Sequence, residues 1–145
     1  MAYRIYKKAA ETEELQLFDE SGQLSKTITV RLDRDGLAQK LSSSHTALLR
    51  ARREALALSA DMASGNTGKI EQAYEKTGLI IIEMFEAVFG KEDSDSIREF
   101  YGQNVMQMCM DVMPFITEIV IPKVRKLAGS RQKQKLMDFR KKKFY

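Results

Sequence analysis

Apolar positions along this chain recur first at every second residue and then at every third or fourth, and the change of period falls near residue 33. Leu15 and Leu17 alternate with polar neighbours. Leu24, Lys26, Ile28, Val30 and Leu32 share a face in LSKTITVRL, while Thr27, Thr29 and Arg31 point away. Between the two runs, DESGQ supplies a turn with Gly22, so residues 15–32 read as a β-hairpin. A lone hairpin is marginally stable, so it must lie on helices or pair with another copy.

From about Arg34 to Ala63 the spacing becomes helical, with Leu37, Leu41, Leu48, Leu49, Ala55, Leu56 and Met62 on one stripe. RARREALAL is strong helix-forming sequence, and the serines at 42–44 are where a break would fall. SGNTG (64–68) is the clearest punctuation, ending one helix and capping the next. A further helix from about Lys69 to Phe89 carries Ile70, Ala73, Tyr74, Thr77, Ile81, Met84, Phe85 and Val88, and Gly90 stands where a left-handed C-cap belongs. In KEDSDSIREF, Ser96 and Glu99 have capping-box spacing, and Asp93 and Asp95 suit the positive end of a helix.

The best periodicity comes last. Tyr101, Val105, Met108, Val112, Phe115 and Ile119 follow one another in steps of four and three. Beside them runs a second stripe of Met106, Cys109, Met110, Met113, Ile116 and Val120. A helix apolar on most of its circumference must be covered by its own domain or by a partner. Pro114 should kink it and Pro122 should end or redirect it. The pattern predicts a mainly α chain with a small N-terminal β-hairpin, an α+β arrangement built as a compact bundle of about four helices. It divides into an N-terminal segment with the hairpin (1–33), a helical domain (34–127) and a basic, flexible tail (128–145).

Composition adds limits to this picture. The 145 residues make about one domain. Cys109 is the single cysteine, so no disulfide framework exists and a reducing compartment is expected. The N-terminus lacks the apolar run of a secretory signal, and uninterrupted apolar runs such as LIII (79–82) are too short to predict a membrane span. Charge is divided unevenly. Between Lys123 and Tyr145 ten Lys and Arg stand against Asp138 alone, so that segment carries +9 and the preceding 122 residues −5 of the net +4.

No catalytic constellation emerges, and neither enzymatic activity nor a cofactor is expected. His45 is the only histidine and lies among serines. Cys109 has methionines and valines around it and no basic residue on its own helix face, which predicts a raised thiol pKa and an inert side chain. No Cys, His, Asp and Glu spacing resembles a metal site, and EDSD lacks the oxygen pattern of a calcium loop. Methionine is soft and adaptable, so a Met-rich helix serves either a core or a surface that fits several partners. Met106, Met110, Met113, Phe115 and Ile116 are the candidate partner-binding residues. In the tail, Arg131, Lys133, Lys135, Arg140, Lys141, Lys142 and Lys143 are candidate contacts to an acidic partner or, on a weaker reading, to nucleic acid.

The order of features carries a resemblance. LIIIEMFEAVFGKEDSDSIREFYGQNVMQMCMDVMPFITEIVIPKVRK has an apolar helix, a glycine stop, an acidic stretch, an aromatic entry and a helix of the form PFI…PK, followed by a basic tail. This resembles the small tail assembly chaperones of long-tailed bacteriophages and prophages, over roughly residues 70–127 and loosely in the hairpin. The resemblance implies a protein that coats the long helical tape measure protein while tail tube protein polymerises around it, working as oligomers in the bacterial cytoplasm and absent from the virion. It also implies that a longer form can arise by ribosomal frameshifting, which the codons of KKKF (141–144) would permit. The rival reading is a small regulatory or nucleic-acid-associated helical protein that uses its basic tail.

Overall fold

The computed structural model describes residues 2–7, 9–60 and 67–130. Two antiparallel strands, β1 (Thr12–Phe18) and β2 (Leu24–Arg31), are followed by helices α1 (Leu37–Ala60), α2 (Thr67–Phe89), α3 (Lys91–Phe100) and α4 (Val105–Phe115). The chain is mostly helical with an N-terminal hairpin, as the two periods predict. Met62, most of the SGNTG segment and the seven candidate tail cations lie outside the described residues.

The hairpin begins at Thr12, earlier than Leu15, because Glu13 and Glu14 pair with Val30 and Thr29. Its turn is fixed by Asp19, whose carboxylate accepts from the Ser21 and Gln23 amides at 2.9 and 3.0 Å, with Gly22 at φ 81°. The inward face is covered by helices: Leu17, Ile28, Val30 and Leu32 are all buried. Lys26, the polar residue on that face, donates to the Ser96 carbonyl at 3.4 Å. Leu24, at the turn end, is left exposed.

Helices α1 and α2 form an antiparallel pair, tied across at Lys76–Glu54 (3.5 Å) and at Ser59–Tyr74 (3.4 Å). The serines at 42–44 produce no break, because Leu41 and Leu48 on either side are both buried in the same core. α2 supplies the centre of the bundle with Ile81, Met84, Phe85 and Val88.

Gly90 does not form the expected left-handed cap. Its φ of 84° is combined with ψ 162°, a region that a side chain disfavours, and it is at once the residue after α2 and the N-cap of α3. The Gly90 amide donates to Glu86 and its carbonyl accepts from Ser94, both at 2.9 Å. α3 therefore starts at Lys91, and Ser96 lies inside it rather than at a capping position. The left-handed cap occurs one helix later. Gly102 (φ 59°) closes α3, with Gln103 N–H donating to Arg98 O at 2.9 Å and Gly102 N–H to Glu99 O at 3.0 Å, the paired bonds of a Schellman motif. Asn104 then caps α4 by accepting from the Gln107 amide at 3.1 Å.

Neither proline ends the last helix, which runs from Val105 to Ser130. Pro114 and Pro122 are both exposed, so the carbonyls they leave without a partner lie on the watery side. Between them, Ile116–Val120 form a wide π turn, closed by the Ile121 amide on the Ile116 carbonyl. The wide turn sits immediately ahead of Pro122, where a regular turn would press the proline ring on the carbonyl four residues back. It also holds one face inward. Met108, Val112, Ile116, Val120 and Val124 are all buried at steps of four. In a regular helix each such step drifts by about 40°, and the extra residue in the wide turn takes that drift back. By length and composition this helix, 26 residues with mean hydropathy up to 1.4, could cross a membrane, which the short apolar runs did not suggest. Of its most apolar window 28% is buried, and Met108, Val112, Ile116 and Val120 belong to the hydrophobic core.

Candidate functional site: an apolar face between two helices

The last helix meets α1 at two points: Arg125, beyond α4, reaches the Ser42 hydroxyl at 3.4 Å, and Cys109 on α4 lies close enough to Arg52 to feel its charge. Ser42 and Arg52 therefore mark the side of α1 that looks towards α4. Leu49 lies two turns after Ser42 on that side, and Leu56 lies one turn after Arg52. On α4, Met106 and Met113 flank Cys109 at one turn in each direction, and Met110 is its neighbour.

The backbones of α1 and α4 barely touch, and each packs on α2. Both helices leave large apolar side chains exposed. Leu49 and Leu56 are 46% and 60% exposed, and Met106 and Met110 are 47% and 70% exposed. Met113 and Cys109 are half-buried. The cationic side chains of Arg52 and Arg53 stand exposed on α1.

The five candidate partner-binding residues thus separate. Met106 and Met110 face solvent, and Met113 is half-buried. Phe115 is half-buried and stacks on Phe89, with ring centroids 6.3 Å apart and planes 13° from parallel. Ile116 is fully buried and belongs to the core, so it is withdrawn from the partner-binding set. It follows Met108 and Val112 in regular helical register, its amide donating to the Val112 carbonyl.

Leu49 and Leu56 were placed with the core stripe of α1 by spacing alone, whereas Ala51 and Ala55 take the buried positions. The signal that could have separated them is size: small residues sit where α1 meets α2, and the leucines stand to one side. Tyr74 and Leu79 on α2 are likewise exposed, and so is Ile119, a member of the heptad stripe.

Two titratable side chains on or beside α4 are shifted by burial and by a neighbour. Burial raises the Cys109 thiol above its ordinary value, and the Arg52 charge across the gap partly offsets that. The helix face of Cys109 itself carries no cation, as expected, and the cation comes from another helix. Burial and then the neighbouring Asp111 carboxylate push the Tyr101 hydroxyl up to about 12. Asp111 also accepts from the Gln107 side chain at 2.9 Å. Among the described residues no group of three His, Cys, Asp or Glu could hold a metal ion.

No protein-family model matches the chain, and neither a curated protein nor a solved structure matches it.

Proposed function

We propose that this chain is a non-catalytic protein-binding chaperone whose client is an apolar, helical protein, the tape measure protein of a long-tailed phage. The observation that carries the reading is the exposure of Met106 and Met110, one turn apart on one face of α4. A cluster of large apolar side chains on one face marks a site for a partner rather than ordinary surface. Methionine suits a client whose sequence varies along its length, because its side chain refits to each contact at little cost. Several copies on one long client would gain strength from their effective concentration, so each contact can be weak. The resemblance to tail assembly chaperones supplies the client's identity.

The test is co-expression with the tape measure protein of the same phage or prophage locus. The wild-type chain is expected to keep the client in the soluble fraction. Met106→Asp/Met110→Asp, both at exposed positions, is expected to leave the chaperone folded by circular dichroism and the client in the pellet. A folded double variant that still solubilises the client would overturn the assignment of this face.

A further inference from the structure

The N-terminal arm and the turn end of the hairpin each expose aromatic surface with opposite charge. In the arm, Tyr3, Ile5 and Tyr6 are 92%, 84% and 80% exposed, with Arg4 and Lys7 between and beside them. At the turn end is an open groove of about 790 Å³, walled by Phe18, Phe100 and Tyr101 and edged by Asp19 and Glu20. Phe100 and Tyr101 meet edge to face at 5.2 Å, which holds the aromatic wall rigid. Asp19 is fixed in place by the turn it caps.

We infer that this groove receives the N-terminal arm of a second copy of the chain. The chemistry matches on both counts: tyrosines and an isoleucine for the aromatic wall, and Arg4 and Lys7 for the acidic edge. Tyrosine brings a large, rigid contact area at small entropic cost, as a docking arm requires. An arm cannot easily serve its own groove. It leaves the sheet at Thr12, and the groove lies beyond Phe18, roughly 20 Å away along β1. Returning would need a reversal within residues 7–11, KKAAE, which contain no Gly, Pro, Asn, Asp or Ser to make a turn. Residues 2–7 are exposed along their length, so the arm is open to a neighbour. The groove is separate from the methionine face, and the inference does not depend on the client-binding proposal.

Sedimentation velocity of the full chain over a concentration series tests it. The wild-type chain is expected to self-associate, and Arg4→Glu/Lys7→Glu to weaken that association about tenfold or more. Glu20→Lys is expected to do the same, and all three substitutions in one chain to restore much of it. These side chains are exposed, so the fold is not at risk. A second measurement separates a neighbour's arm from the chain's own. In a Cys109→Ser background, a mixture of Tyr3→Cys and Ser25→Cys single variants is expected to form a disulfide-linked dimer under mild oxidation. The inference is overturned by a chain that stays monomeric throughout, by association indifferent to the charge reversals, or by a mixture that gives no linked dimer while Tyr3→Cys/Ser25→Cys in one chain cross-links within itself.

Discussion

Arg34 donates from Nη2 to the main-chain carbonyl of Val88 at 2.6 Å, joining the segment after the hairpin to the last turn of α2. The same guanidinium donates from Nε to the Arg31 carbonyl at 3.1 Å. A cation at the carbonyl end of a helix satisfies a group that the helix leaves unpaired and meets the negative end of its dipole. Burial lowers the Arg34 pKa, with nearby Arg31 adding to the effect, yet the guanidinium stays charged at any physiological pH.

Removing this clamp should loosen the hairpin from the bundle. Arg34→Ala is expected to cost about 1.5 kcal/mol, the low end for a hydrogen bond to a charged group because the site is partly wet. Arg34→Lys should recover only part, since an ammonium cannot span both carbonyls. Urea midpoints of the three proteins at one pH would measure it, and an unchanged midpoint for Arg34→Ala would remove the clamp from the account.

The division of the long helix into a covered and an open face predicts a contrast between residues six apart. Ile116→Ala should destabilise by about 2–5 kcal/mol, as for a fully buried aliphatic side chain. Met110→Ala should fall within about 0.5 kcal/mol of wild type, as for an exposed position. Equal losses at the two positions, read by chemical denaturation, would mean that the faces are assigned wrongly.

Ser94 offers a stabilising change. Its side chain is fully buried in α3, and its Oγ makes no hydrogen bond. Ser94→Ala removes a desolvated hydroxyl without opening a space, and should raise stability by about 1 kcal/mol. Thermal melting would show it as an upward shift of several degrees for a domain of this size.

Cys109 reports on the gap between α1 and α4. Its thiol is raised above its ordinary value by burial, so the folded state holds the proton longer than the unfolded state does. Its contribution to stability is complete below the unfolded value and is lost as pH climbs through the folded one. Iodoacetamide labelling near pH 8 should be slower than for a free thiol. Arg52→Ala should slow it further, because removing the cation raises the thiol again. Faster labelling in that variant would place Arg52 elsewhere.

Local signals made the hairpin and the four helices legible, because alternation and the three-to-four spacing are written in side chains such as Ile28, Val30, Ile81 and Phe85. The joint at Gly90 was not. One residue serves two helices there, and its role depends on ψ as much as on the positive φ that glycine suggests. The proposed partner-binding face was legible in part. Met106 and Met110 stood out by type, but two apolar stripes lie side by side on that helix, and a fixed period cannot say which is covered. Ile116 went to the core because it extends the stripe of Met108 and Val112 by one regular turn. Leu49 and Leu56 stay exposed because Ala51 and Ala55 take the buried positions of α1, which tertiary packing decides.

The wide turn at Ile116–Val120 makes the last helix behave as a counted thread. Winding that turn regularly with every residue kept would rotate each later side chain by about 100° relative to the body, and Val124 would swing out of the core. Deleting Thr117 would instead let the turn wind regularly with the later side chains in their present phase. The face that Val124 turns to the core is thus encoded in one extra residue held by one turn, and a chain one residue shorter could show the same face from a regular helix.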